Sequence, residues 1–199
     1  MKHLTPVTVR LIVRTYDAAG RQLTEECKDN DIFLYNWATL IANWIKAAFC
    51  ASLTGTYPWK NLEGVDKTTQ QGEFSGSCRT GDGAVSADIR DTGFVQVGSD
   101  PTPPQISDYK LGTFIAEATP TPPAIYVVGQ VIKIVFTTTF AMAQETTIAE
   151  TGIRMCGCIS RDLTAAGKFL ITRDTFTPAT VPANGTVSVQ HELWFNGTP

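Results

Sequence analysis

Along Ile125–Phe140 the chain alternates. Val127, Gly129, Val131, Lys133, Val135, Thr137 and Thr139 fall on one side, and Val128, Ile132, Ile134, Phe136, Thr138 and Phe140 on the other. Side chains of an extended strand point alternately to its two faces, and branching at Cβ suits a pleated, half-covered surface. This pattern predicts one long strand over Ile125–Phe140. Such a strand cannot satisfy its backbone alone, so the rest of the chain must supply a sheet.

Further strand signals are spread along the sequence. Val7, Val9, Leu11 and Val13 alternate with Thr8, Arg10, Ile12 and Arg14, the turn residues Asp17-Ala18-Ala19-Gly20 follow, and Arg21–Cys27 returns, so residues 7–27 are predicted to form a hairpin. Phe94, Val95 and Val97 make a short strand, and Pro101, Pro103 and Pro104 end any regular element after it. Asp108–Ala118, Thr147–Ile159, Lys168–Thr175 and Thr186–Phe195 complete the series. Turns are expected at Asp162–Gly167 and at Pro182-Ala183-Asn184-Gly185. Strands in succession joined by short turns predict a mainly β chain, an antiparallel β-sandwich or jelly roll.

One stretch departs from this pattern. Lys28-Asp29-Asn30-Asp31 offers helix-capping side chains, and from Ile32 to Leu53 there is neither Gly nor Pro. An apolar helix over residues 32–53, inserted in the sandwich, is expected, and its polar stripe of Asn36, Asn43 and Lys46 argues for packing against sheet or neighbour rather than lipid. Residues 54–92 then dissolve into Gly, Ser, Thr and Asp, predicting a long irregular loop or arm. Six aromatics of these two segments, Trp37, Trp44, Phe49, Tyr57, Trp59 and Phe74, are the candidate interface residues. We expect 1–199 to form a single domain.

Composition excludes several function classes. The formal charge of -3 comes from 16 basic and 19 acidic residues mixed along the chain. It offers no footprint for nucleic acid or for an anionic membrane surface. The N-terminus runs directly into an alternating strand, so no signal peptide is expected, and release to the outside would be by lysis. The five cysteines include no C-x-x-C pair. Cys156 and Cys158 with His191 are the one combination worth naming for a metal, and strand packing is the simpler account. A disulfide at Cys27 or Cys78 stays open.

Chemistry is sparse. Of the two histidines, His3 lies in the terminus and His191 within the last strand. No nucleophile elbow, zinc-protease or phosphate-loop motif occurs. Asp88 with Asp91 and Glu145 with Glu150 are carboxylate pairs without a glycosidase context. No catalytic residue and no cofactor are assigned, and enzymatic activity is not expected. In Thr147–Ile153, Gly152 is expected to mark a bulge or a close backbone approach. Glu150 and Arg173 are expected to pair across strands, an idea that a reciprocal charge swap would test.

Three stretches, in fixed order, resemble segments of tail, fibre and adaptor proteins of tailed bacteriophages and archaeal tailed viruses. They are Val97-Gly98-Ser99-Asp100-Pro101-Thr102-Pro103-Pro104-Gln105-Ile106-Ser107-Asp108-Tyr109-Lys110-Leu111, then Thr147–Ile153, then Thr172–Val181 leading to Val187–Phe195. The resemblance implies a β-sandwich virion structural protein of the tail, adaptor, fibre or capsid decoration type, with a role for Glu150 in the fold. The expected partners are copies of itself, other virion proteins and, on the alternative below, a host-surface receptor, with no nucleic acid and no membrane. The expected location is the virion, after synthesis in the host cytoplasm and release by lysis. The alternative is a receptor- or glycan-binding module at a fibre or tail tip.

Overall fold

The computed structural model describes residues 8–29, 32–33, 59–60, 62–67, 79–80, 83–84, 93–121, 124–128, 131–157 and 167–195. Among them every regular element is a strand. In chain order these are β1 (Thr8–Tyr16), β2 (Gln22–Asp29), β3 (Ile32–Phe33), β4 (Trp59–Lys60), β5 (Asp66–Lys67), β6 (Arg79–Thr80), β7 (Gly83–Ala84) and β8 (Gly93–Gly98). They continue with β9 (Phe114–Ala118), β10 (Ala124–Val128), β11 (Val131–Ala141), β12 (Thr146–Gly157), β13 (Gly167–Leu170), β14 (Thr172–Val181) and β15 (Thr186–Phe195).

Two antiparallel sheets dominate. A five-stranded sheet runs β10-β11-β15-β1-β2, and a six-stranded one runs β3-β14-β12-β8-β9 with β13 paired to β12. Their inner faces share one core. Leu11, Val13, Phe140, Val187 and Val189 of the first sheet pack with Val95, Val97, Ile148, Phe176 and Val181 of the second. The alternation in β1 explains its part: Val9, Leu11 and Val13 are buried while Arg10, Ile12 and Arg14 are half-buried on the other face.

Two of the passages between the sheets, β11 to β12 and β14 to β15, are neighbouring turns. The Met142 N–H donates to the Gly185 carbonyl, and the Asn184 N–H donates to that of Met142, at 2.9 and 2.7 Å. Asn184 takes a positive φ of 62°, a conformation that asparagine tolerates better than most residues, as the Pro-Ala-Asn-Gly signal anticipates. At the opposite edge Lys28 of β2 reaches across the core opening and donates to Asp174 of β14 at 2.6 Å.

Several expectations change. The segment read as one strand over Ile125–Phe140 is two antiparallel strands, β10 and β11, with Val128 paired to Val131. Gly129, which lies outside the described residues, fitted the alternation, so periodicity alone did not divide the run. Lys28 and Asp29 end β2 instead of capping a helix, and Ile32–Phe33, expected as the first helical residues, pair with Arg173 and Thr172 of β14. No helix occurs among the described residues, and the rest of the segment expected to be helical lies outside them. Within 54–92 the described residues form two short ladders, β4 with β5 and β6 with β7.

Candidate functional site

On β12, residues Glu150, Gly152 and Arg154 face away from the shared core, beside Gly98, Gln96 and Phe94 of β8. A β-bulge between Ile148 and Glu150 shifts the register against β14. Ile148 therefore reaches the core while Glu150 stands on the outer face, 0 % exposed. The loop 99–113 folds over it.

Glu150 is an acceptor hub. The backbone N–H groups of Thr113, Gly112 and Asp100 donate to its carboxylate at 2.7, 2.9 and 3.2 Å, and Arg173 Nε donates at 2.9 Å. Arg173, itself buried, spends its other donors on the same loop: Nη1 to Asp108 at 2.6 Å, and Nη2 to the Thr102 carbonyl at 3.2 Å and Asp100 at 3.5 Å. A buried carboxylate and guanidinium are tolerated only when their hydrogen-bonding capacity is met, and here it is met by loop backbone.

Electrostatics follow from this arrangement. Burial pulls Arg173 toward losing its proton, but the hydrogen bonds to Asp108 and Glu150 outweigh it and hold the guanidinium above its ordinary value. The side chain and then the backbone N–H of Thr102 hold the Asp100 carboxyl below the usual carboxylate range, with a smaller pull from Arg173. Glycines make room for this packing. At Gly152 an added Cβ would meet the Thr172 carbonyl oxygen at 2.5 Å and a Leu170 methyl at 2.9 Å, so the residue marks a close backbone approach. Leu111 of the loop and Leu170 close a small second core there, with Leu62 against them. Arg154 adds a second ion pair on this face, donating to Glu117 of β9 from Nε at 2.9 Å and Nη2 at 3.1 Å.

The five-stranded sheet offers a different surface. On its outer face Lys133 lies 5.4 Å from the Tyr126 ring centroid and 4.9 Å from that of Trp194, and Arg10 lies 5.9 Å from Trp194 on the far side. Glu192 beneath accepts from Lys133 Nζ at 3.0 Å, Gln190 Nε2 at 2.7 Å and Trp194 Nε1 at 3.1 Å. Tyr126, Val131, Lys133 and Trp194 line a groove of about 360 Å³. On the inner face of β15, His191 sits between Leu11 and Phe136. It is fully buried, and neither ring nitrogen has a partner among the described residues. Burial pushes its pKa from 6.5 down to about 4, so the ring is neutral at pH 7.

The expected Glu150–Arg173 pair is therefore present. Of the candidate interface aromatics, Trp37, Trp44, Phe49, Tyr57 and Phe74 lie outside the described residues, and Trp59 is placed by its backbone in β4, opposite Lys67. His191 is walled into the core, and among the described residues no cluster of His, Cys, Asp or Glu suits a metal ion. Cys27 is an exposed free thiol. Glu145 is exposed whereas Glu150 is buried beneath a loop, so these two carboxylates share no open face. Sequence reasoning missed Asp100, Asp108, Glu117 and Arg154. Arg154 carried a signal, a cation within an apolar strand, but its partner lies on β9, far along the chain. No family model, curated protein or solved structure matches this chain.

Proposed function

We propose that this chain is a viral structural protein that works by subunit packing within a virion, as a tail, adaptor, fibre or capsid decoration component. One observation carries the reading: the three stretches that resemble phage virion segments converge on a single node. Asp100 and Asp108 come from the first stretch, Glu150 from the second and Arg173 from the third. Stretches remote in sequence that share one buried ion-pair network have a common architectural task. That task is to pin a long surface loop rigidly onto a β-sandwich, as a subunit needs when it presents a fixed surface to neighbours. On this reading the partners are copies of itself and other virion proteins, and the chain resides in the particle after lysis of the host.

The test is mass spectrometry of particles released from cells carrying the gene and banded in a density gradient. The expected result is this chain at fixed stoichiometry with the other particle proteins. Its confinement to the unbanded soluble fraction would overturn the reading.

A second reading, a receptor- or glycan-binding module at a fibre or tail tip, draws on the groove between Tyr126 and Trp194, since aromatic faces flanking a cation form a platform for sugar rings. It predicts that Trp194→Ala abolishes binding of the purified chain to host cells while leaving the fold intact. Equal binding by the variant would remove it.

A further inference from the structure

The five-stranded sheet has two ends, β2 and β10, and among the described residues neither has a strand paired on its outer side. An open edge presents a row of backbone donors and acceptors that any extended segment can join, unless charges or irregularity prevent it. The two ends differ in this respect. β2 carries Glu25, Glu26, Lys28 and Asp29. Arg10 and Arg14 of β1 bond Asp29 and Glu25 at 2.6 Å each. An antiparallel copy of β2 would bring acidic side chains opposite one another, which destabilises pairing. β10 reads Ala-Ile-Tyr-Val-Val and has no charge at all.

Its side chains are also uncovered. Ile125, Tyr126 and Val127 are 64 %, 50 % and 69 % exposed, and Ile132 of β11 extends the patch. Ile125 and Val127 lie opposite Ile134 and Ile132, on the face that turns toward the core further along β11 at Phe136 and Phe140. Apolar side chains thus occupy the core-facing side of the sheet at its open end. The strand is held ready from behind: Thr121, just before it, donates its N–H to the Thr137 carbonyl at 2.9 Å, and Tyr126 stacks near Lys133.

We infer that β10 is a self-pairing edge, joining antiparallel to β10 of a second copy with Tyr126 on the two-fold axis. The strand is self-complementary in that register. Ile125 meets Val127 of the copy, Ala124 meets Val128, Tyr126 meets Tyr126, and no charge opposes a charge. The two Lys133 side chains stay two strands apart on either side, about 14 Å, beyond the range at which unscreened repulsion matters at physiological salt. A second copy fits better than a charged peptide because the edge offers nothing to pair a charge with. Five residues of edge bury less than the roughly 1,200 Å² of a stable complex, so the free dimer is weak and gains strength where copies are held together. The inference rests on this edge alone and stands or falls separately from the virion reading.

Sedimentation equilibrium of the intact chain, from about 1 µM to about 1 mM, tests it. The expected result is a reversible monomer–dimer equilibrium, weakened at least about tenfold by Val127→Lys and unchanged by Leu23→Lys on the β2 edge. Thermal unfolding of each variant checks that the fold survives. Ile125→Lys and Val127→Glu place opposite charges across the strand pair, so each alone is monomeric and their equimolar mixture dimerises. A monomer throughout would overturn the inference and leave the edge to a strand of a different protein. So would an oligomer indifferent to Val127→Lys, or a mixture that stays monomeric.

Discussion

The six-stranded sheet buries Glu150, Arg154 and Arg173, and each has a charged partner within 2.9 Å. The five-stranded sheet buries His191 in the shared core, and the ring has no hydrogen-bond partner among the described residues. The first arrangement puts Glu150 and Arg173 under a loop, where backbone N–H groups turn inward to Glu150, and pairs Arg154 with Glu117 of β9. The second puts a titratable ring among Leu11 and Phe136, where it is tolerated only while neutral. Polar burial in this molecule therefore has two meanings. On the outer face it fixes a loop, and in the core it makes the fold sensitive to acid.

Removing the hub should break the comparison most severely. Glu150→Ala leaves Arg173 buried without its central partner and strips the acceptor from three loop amides, so a loss of about 3–5 kcal/mol is expected. Denaturant unfolding measures the loss. Hydrogen exchange localises it, with protection at Gly112 and Thr113 lost before the β1–β15 ladder is affected. The reciprocal swap Glu150→Arg with Arg173→Glu, attractive from sequence alone, is expected to fail. An arginine at 150 cannot accept from the N–H groups of Asp100, Gly112 and Thr113. Rescue by the swap would mean that the ion pair, not the loop backbone, is what Glu150 serves.

His191 sharpens the other side. Its folded pKa of about 4 lies below its ordinary 6.5, so the unfolded chain takes up a proton first as pH falls. The folded state then loses stability from about pH 6.5 down to about pH 4, by about 3 kcal/mol in all. Above that window the group contributes no pH dependence. His191→Leu should flatten this part of the profile and raise stability at pH 7 by about 1 kcal/mol, since it removes an unbonded polar group from the core. If wild type and variant fall in parallel between pH 6.5 and 4, the ring has a partner or a route to water.

Between these extremes lies Gly152, where Leu111 of the loop, Leu170 of β13 and Thr172 of β14 crowd against β12. Gly152→Ala pushes a methyl against the Thr172 carbonyl and Leu170, both fixed by strand pairing, and should cost about 1–3 kcal/mol. A neutral result would mean that β12 and β14 can separate locally without disturbing the node.

Much of this contrast was legible in the chain, and the illegible part has a physical cause. The β1–β2 hairpin, β12 and β15 followed from alternation and turn residues, because those signals are local. The pairing of Glu150 with Arg173 across strands was expected, whereas the loop backbone that also meets Glu150 was not. What alternation cannot say is which face is covered, and by what. His191 and Gln190 are neighbours on one strand, and only the second sheet makes one of them a core residue. Asp100, Asp108 and Glu117 reach their partners through long loop closures that no short window contains. The expected helix over residues 32–53 rested on the absence of Gly and Pro and on capping residues. Pairing with β14 overrode both at Ile32–Phe33.

The smallest effect is expected on the outer face of the five-stranded sheet, and its size is informative. Arg14 donates to Glu25 at 2.6 Å, as short as the bond between Lys28 and buried Asp174, yet the Arg14 and Glu25 side chains are 28 % and 46 % exposed. Water and salt screen such a pair, so Glu25→Gln should change stability by only about 0.2–1 kcal/mol, less at high salt. Lys28→Met should cost clearly more, because the Asp174 carboxylate it leaves behind is buried and already has one oxygen without a partner among the described residues. Comparing the two substitutions at low and high salt separates distance from burial as the source of electrostatic stability. Equal costs would make bond length the controlling variable, whereas a larger, salt-insensitive cost at Lys28 would assign control to the dryness of the site.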